Sequence, residues 1–152
     1  MISVQQSDFD MGEEYRLLRS AAPEIGAIVT FVGLVRDFGD ESLVKGMYLE
    51  HYPGMTERVL QEIINEARNR WPIKDVRIIH RVGSLSAADQ IVFVGVNSKH
   101  REAAFAACEF LMDFLKTRAP FWKKEITDQG EYWVEAKEVD TRRADRWKDS
   151  QK

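Results

Sequence analysis

With 152 residues, 44% hydrophobic and 31% charged, the chain can bury a core without disulfide or metal staples and is too apolar to be disordered. A formal net charge of -3 excludes a global field that recruits nucleic acid or anionic membrane, so an anion site must be local. The one cysteine, Cys108, excludes an internal disulfide, and with no signal pattern and no apolar run of bilayer length the expected location is the cytoplasm.

Ile2 to Gln6 alternates apolar and polar residues, as a short strand does. Asp10 is placed to cap a helix through Glu13, Glu14, Tyr15, Leu17 and Leu18, with acids in the first turn where the helix dipole favours them. Pro23 closes that piece. Gly26 to Asp37 is rich in β-branched and aromatic residues and reads as a strand buried on both faces in its middle. Arg36 ends it, beside the polar loop 37–42. A second strand, Val44 to Tyr52, follows at hairpin distance.

Pro53-Gly54 is a turn signal. An amphipathic helix from about Thr56 to Arg70 carries Val59, Leu60, Ile63, Ile64 and Ala67 at helical spacing, and Trp71-Pro72 ends it. Val76 to Val82 predicts a strand, 83–89 a loop, and Ile91 to Val96 a second buried strand. Ser98 is the expected N-cap of a helix from Lys99 to about Arg118. That helix is apolar round most of its circumference; Glu102, Glu109, Asp113 and Lys116 form its polar stripe. Such a helix is buried on more than one side, and in a chain this short one side is expected to meet another subunit. Phe121–Ile126 and Tyr132–Ala136 predict two strands joined by the turn Asp128-Gln129-Gly130, and the charge-rich 137–152 a frayed helix or tail. The order of elements predicts one domain over 1–152, of α+β class with largely antiparallel pairing.

Four cations crowd the nine residues Lys116 to Lys124: Lys116, Arg118, Lys123 and Lys124. Pro120 bends the chain there, and Phe121 and Trp122 can shield the site. A basic cluster on a stiff corner holds an anion, and neighbouring positive charge lowers a lysine pKa. The plainer explanations are that Lys116 pairs with Asp113 one turn back and that Lys123 and Lys124 guard a strand edge. Ser98-Lys99-His100-Arg101 opens the long helix, where free backbone N–H groups and two donor side chains favour an anion. Arg36 is a third candidate clamp. Arg101 and Lys116 are fifteen residues apart, so about 22 Å of helix separates them, and one small anion cannot touch both within one chain. Either they serve different ligands or a two-fold dimer joins His100 and Arg101 of one copy to Lys116 and Lys123 of the other. His51, His80 and His100 have no metal-ligand spacing, so no metal is expected. Cys108, in mid-helix, reads as a small hydrophobe.

Four stretches carry a resemblance: Glu50-His51-Tyr52-Pro53-Gly54-Met55, Glu66 through Pro72, Ile91 through Val96, and Lys116 through Lys123. In these the chain resembles the large, catalytic subunit of molybdopterin synthase, from about Asp10 to Trp147. The resemblance implies an α/β-hammerhead with an added antiparallel sheet, the long helix lying at a dimer interface. It implies a sulfurtransferase that makes the dithiolene of molybdopterin from cyclic pyranopterin monophosphate. The sulfur would come from the C-terminal glycine thiocarboxylate of a small ubiquitin-like partner, in a heterotetramer built on a homodimer. No cofactor is implied. It assigns Lys116 and Lys123 as catalytic, and Arg36, His100, Arg101, Lys124 and Glu125 to the substrate pocket. Leu34 and Lys137 depart from the polar or basic residue and the arginine associated with those positions, and a lysine cannot bind an anion bidentately. Two other readings use the same basic aromatic corner: a non-catalytic single-strand nucleic-acid binder and a scaffold for the partner's tail.

Overall fold

The computed structural model describes residues 1–37, 44–134 and 138–148. Twelve elements follow in order: β1 (Ile2–Gln5), α1 (Met11–Arg19), β2 (Ala27–Leu34), β3 (Val44–His51), α2 (Met55–Arg70), β4 (Ile73–Arg81), β5 (Gly83–Ser86), β6 (Gln90–Ser98), α3 (Arg101–Thr117), β7 (Phe121–Thr127), β8 (Gly130–Val134) and α4 (Glu138–Asp145). The strands form two four-stranded sheets, ordered β1-β4-β6-β2 and β5-β3-β7-β8. The class is α+β. All pairs are antiparallel except β1 with β4.

The period-two alternation of β4 and β6 sorts the first sheet into two faces. Val76 and Ile78 with Val92, Val94 and Val96 meet Leu60, Ile63, Ile64 and Ala67 of α2 and Ala107, Phe110, Leu111 and Leu115 of α3. Ile79 and Phe93 meet Phe9 and Leu18 at α1 on the opposite face. Gly95 permits that second contact: a Cβ there would lie 2.5 Å from Leu18 Cδ1. Buried Asn97 fastens the end of α1, donating to the Leu18 carbonyl at 2.8 Å and accepting from the Asp75 amide at 2.6 Å.

Asp10 caps α1, its Oδ1 accepting from the Glu13 amide at 3.0 Å. Gly54, at φ 85°, opens α2, and Glu57 Oε2 accepts its amide proton at 2.7 Å. Three expectations change. The stretch after Val82 is not all loop: Gly83–Ser86 is a strand, paired with Gly46–Leu49 of β3. Strand β2 is an edge strand rather than one buried on both faces, and Phe31 and Leu34 are exposed. Ser98 does not cap α3; its hydroxyl donates to the His100 carbonyl, and His100 takes the cap position with no side-chain cap bond.

Helix α3 crosses the first sheet and is flanked by α2 and α4. Its buried residues are Ala103, Ala104, Ala107, Cys108, Phe110, Leu111, Asp113 and Leu115, while Phe105 is 61% exposed. Within the charged C-terminal stretch, α4 forms and the following Trp147 packs on the main core cluster, so 138–148 is not a loose tail. The predicted residues 135 and 136 of the last strand, the loop residues 38–42 and Lys137 lie outside the described residues.

Candidate active site

Helix α3 begins where β6 ends and runs back over the sheet, so Lys116 in its last turn returns toward the start of β6. Near that start, His80 of β4 is paired with Val92. His80 is 6% exposed, and its Nδ1 donates to the Arg81 carbonyl at 2.9 Å in the neutral tautomer that its surroundings favour. Burial pushes its pKa down to about 4, against the opposing carbonyl bond, and the charges of Lys116 and His51 push the same way. Its ring stacks on Phe121, centroids 3.8 Å apart and planes 16° from parallel. Phe121 is the first residue of β7, directly opposite His51 of β3. Lys116, His80, Phe121 and His51 therefore share one neighbourhood.

The alternation of β7 then divides the basic corner. Phe121, Lys123 and Glu125 point to one face, opposite His51, Leu49 and Met47. This is the inner face, where Met47 and Leu49 join Val35, Val82 and Leu85 in a buried cluster that also receives Phe121. Lys123 Nζ lies 3.9 Å from Glu125 Oε1. Lys124 points to the outer face. Its Nζ lies 5.7 Å from the Tyr48 ring centre and 5.4 Å from that of Trp133, and 3.3 Å from Glu131 Oε2. Arg118 turns to α2 and makes two bonds to the Glu66 carboxylate, at 2.8 and 2.9 Å. The four cations are not one patch. Lys116 and Lys123 belong to the His80–Phe121 side, and a nucleic-acid groove along all four loses its premise.

The other candidates separate along the length of β6. Arg36 follows β2 at the end where Leu34 pairs with Gln90. Val35 is held there by backbone bonds with Asp89 at 2.9 Å and Ala88 at 2.8 Å. His100 and Arg101 lie at the opposite end, where Ala27 pairs with Ser98, and both are exposed. Within one chain Arg36 shares the Lys116 end of the sheet, and His100 and Arg101 do not.

Asp113 also differs from expectation. It is 7% exposed rather than part of a solvated stripe, and its Oδ2 accepts from Arg146 Nη2 and Trp147 Nε1, each at 2.7 Å. Sequence reasoning weighed His51 and His80 only as metal ligands and Asp113 only as a partner of Lys116; the aromatic Phe121 beside the proline bend was the one signal of a stacked partner. Cys108 is buried and its thiol is pushed up to about 12 by burial and the charge of Glu109, which keeps it protonated and unreactive. Among the described residues no group of three His, Cys, Asp or Glu side chains could hold a metal ion, and no helix is long and apolar enough to cross a membrane.

Residues 4–118 match the family model described as MoaE protein. The chain is 54% identical over 146 residues to the molybdopterin synthase catalytic subunit of Vibrio cholerae, covering 96% of this chain and 97% of that one. It belongs to the MoaE family. Among solved structures, the molybdopterin biosynthesis MoaE protein of Burkholderia ambifaria superposes with a TM-score of 0.83 at 53% identity, covering 97% of each chain. Molybdopterin synthase of Staphylococcus aureus superposes with a TM-score of 0.81 at 32% identity, over 88% of this chain and 96% of that one. Family members carry the name of a catalytic subunit, which favours an enzyme over a tail-binding scaffold.

Proposed function

We propose that this chain is the catalytic subunit of a molybdopterin synthase. It moves sulfur from the C-terminal thiocarboxylate of a small ubiquitin-like carrier to cyclic pyranopterin monophosphate, in the cytoplasm. Two observations support placing Lys116 and Lys123 at one site. Lys116 exerts its charge on His80, and Lys123 shares the inner face of β7 with the ring stacked on His80.

Both reactants are anions, and two amines beside a neutral imidazole and an aromatic ring suit them. Lys116 acts on the thiocarboxylate as nucleophile or counter-charge, and Lys123 holds the pterin and offsets charge that builds in the transition state. Arg36 and Glu125 complete the pocket, Arg36 as an anion clamp and Glu125 by setting Lys123 from 3.9 Å. Lys124, on the outer face among aromatic side chains, contributes to binding rather than to the chemical step. His100 and Arg101, about 22 Å along α3 from Lys116, enter from a second copy of the chain, which makes a homodimer the core of a heterotetramer with two carriers. The domain is read as one unit over residues 1–152.

The test mixes the chain with thiocarboxylated carrier and cyclic precursor and looks for the dithiolene product by mass spectrometry. Product is expected from the parent chain and not from Lys116→Ala. A folded parent chain that forms no product overturns the function; full turnover by both Lys116→Ala and Lys123→Ala overturns the site.

A further inference from the structure

His80 is a buried titratable side chain at the lysine corner with no task yet in the sulfur transfer. Its backbone is fixed inside the first sheet, between Val4 of β1 and Val92 of β6. Two contacts then fix the ring. The stack on Phe121 sets its plane, and the bond from Nδ1 to the Arg81 carbonyl sets its rotation within that plane. A carbonyl oxygen has no proton to give, so Nδ1 carries the ring proton and Nε2 is a bare acceptor. Lys116 and His51, the groups whose charges reach the ring, both oppose a second proton, as burial does. Among the described residues no buried side-chain nitrogen or oxygen lacks a partner, and Nδ1 is the His80 nitrogen that has one. Nε2 therefore lies in the 6% of the residue that stays exposed. The corner holds a rigid, uncharged acceptor whose direction is set before anything binds.

Cations alone hold any small anion and do not tell one from another. A pyranopterin monophosphate differs from a bare phosphate in the N–H groups at the edge of its fused rings. We propose that His80 is a specificity residue of the substrate site: its Nε2 accepts a hydrogen bond from a ring N–H of the pterin, while the basic side chains meet the phosphate charge. The inference rests on the reading of this corner as the substrate site. The pterin suits the acceptor better than the carrier's tail does. Phe121 covers one face of the imidazole, Nε2 lies in the ring plane, and a flat substrate brings its donors edge-on into that plane.

The experiment measures steady-state kinetics of the parent chain, His80→Phe and His80→Gln, varying cyclic precursor and thiocarboxylated carrier separately, with inorganic phosphate as a competing anion. His80→Phe keeps a flat ring for the stack and removes the acceptor. It is expected to lose about tenfold or more in kcat/KM for the precursor, with KM for the carrier and inhibition by phosphate within about twofold of the parent. His80→Gln, which returns an amide oxygen near the Nε2 position, should recover to within about threefold, which loss of packing would not do. Parent-like kcat/KM in His80→Phe overturns the inference, as do equal losses for precursor, carrier and phosphate, or a Gln variant no better than Phe. A second reading uses the parent chain alone, with isotope-labelled histidine and carrier lacking the thiocarboxylate. The His80 Nε2 nitrogen resonance should shift on addition of precursor and not of inorganic phosphate. No shift overturns the inference even where a variant melts early. Full turnover by both Lys116→Ala and Lys123→Ala overturns the underlying site instead, so the two failures are distinguishable.

Discussion

The imidazole of His80 lies flat on the ring of Phe121, 3.8 Å between centroids. This contact joins the two sheets, because His80 belongs to the first and Phe121 to the second. It also relates the two lysines, since Lys116 in the last turn of α3 acts electrostatically on His80 and Lys123 follows Phe121 on the same face of β7.

The buried His80 gives the protein an acid limit. Its folded pKa lies near 4, against 6.5 for an ordinary histidine, so between those values the unfolded chain binds the extra proton and the folded one does not. The histidine's contribution is therefore fully present above pH 6.5 and is lost as pH falls toward 4, by about 3 kcal/mol in all. Urea unfolding at pH 7 and pH 4.5 should show this slope, and His80→Phe should flatten it. An unchanged slope in that variant would assign the acid sensitivity elsewhere.

Neighbouring lysines should behave differently. Lys123→Ala is expected to lower kcat by about a hundredfold or more, as loss of a transition-state donor does. Lys124→Ala, which removes a cation held between Tyr48 and Trp133, should act mainly on KM for the carrier. Steady-state kinetics of the two variants, with unfolding midpoints as control, separates them; equal losses in kcat would contradict the division of β7 into two working faces.

A pocket built across two copies can be rescued by mixing. Lys116→Ala and Arg101→Ala chains should each be inactive alone. Co-refolded, they should form mixed dimers in which one site has both residues intact, and activity should return to a sizeable fraction of the parent. No recovery in the mixed sample, with dimers verified by mass, would mean that Arg101 does not serve the Lys116 site.

Cys108 should resist alkylation. With its thiol pushed up to about 12 and its side chain buried, iodoacetamide at pH 8 is expected to leave it intact in the folded chain and to modify it in guanidinium. Peptide mass mapping reads the result. Rapid native labelling would show α3 opening from the sheet.

Much of this was legible in residue pattern because local physics decided it. Asp10 was readable as a cap since nothing competes for its side chain, and β6 since six of its residues are apolar or glycine in a row. Ser98 misled because its hydroxyl found the nearby His100 carbonyl instead of the helix amides. Strand β5 has only Leu85 as an apolar anchor; its conformation comes from pairing with β3, a partner far away in sequence. The burial of Asp113 came from Arg146 and Trp147, again remote. The split between Lys123 and Lys124 was within reach, for period-two alternation alone requires it.

That alternation sets how the chain can change. A slide of β7 by one position against β3 would bring Lys124 to the inner side in place of Lys123, so a tandem of amines tolerates an indel at that spot. The same slide would carry Phe121 off His80 and turn Trp122 inward in its place, so the amine and the aromatic floor beneath it are duplicated together, the second floor being the larger ring.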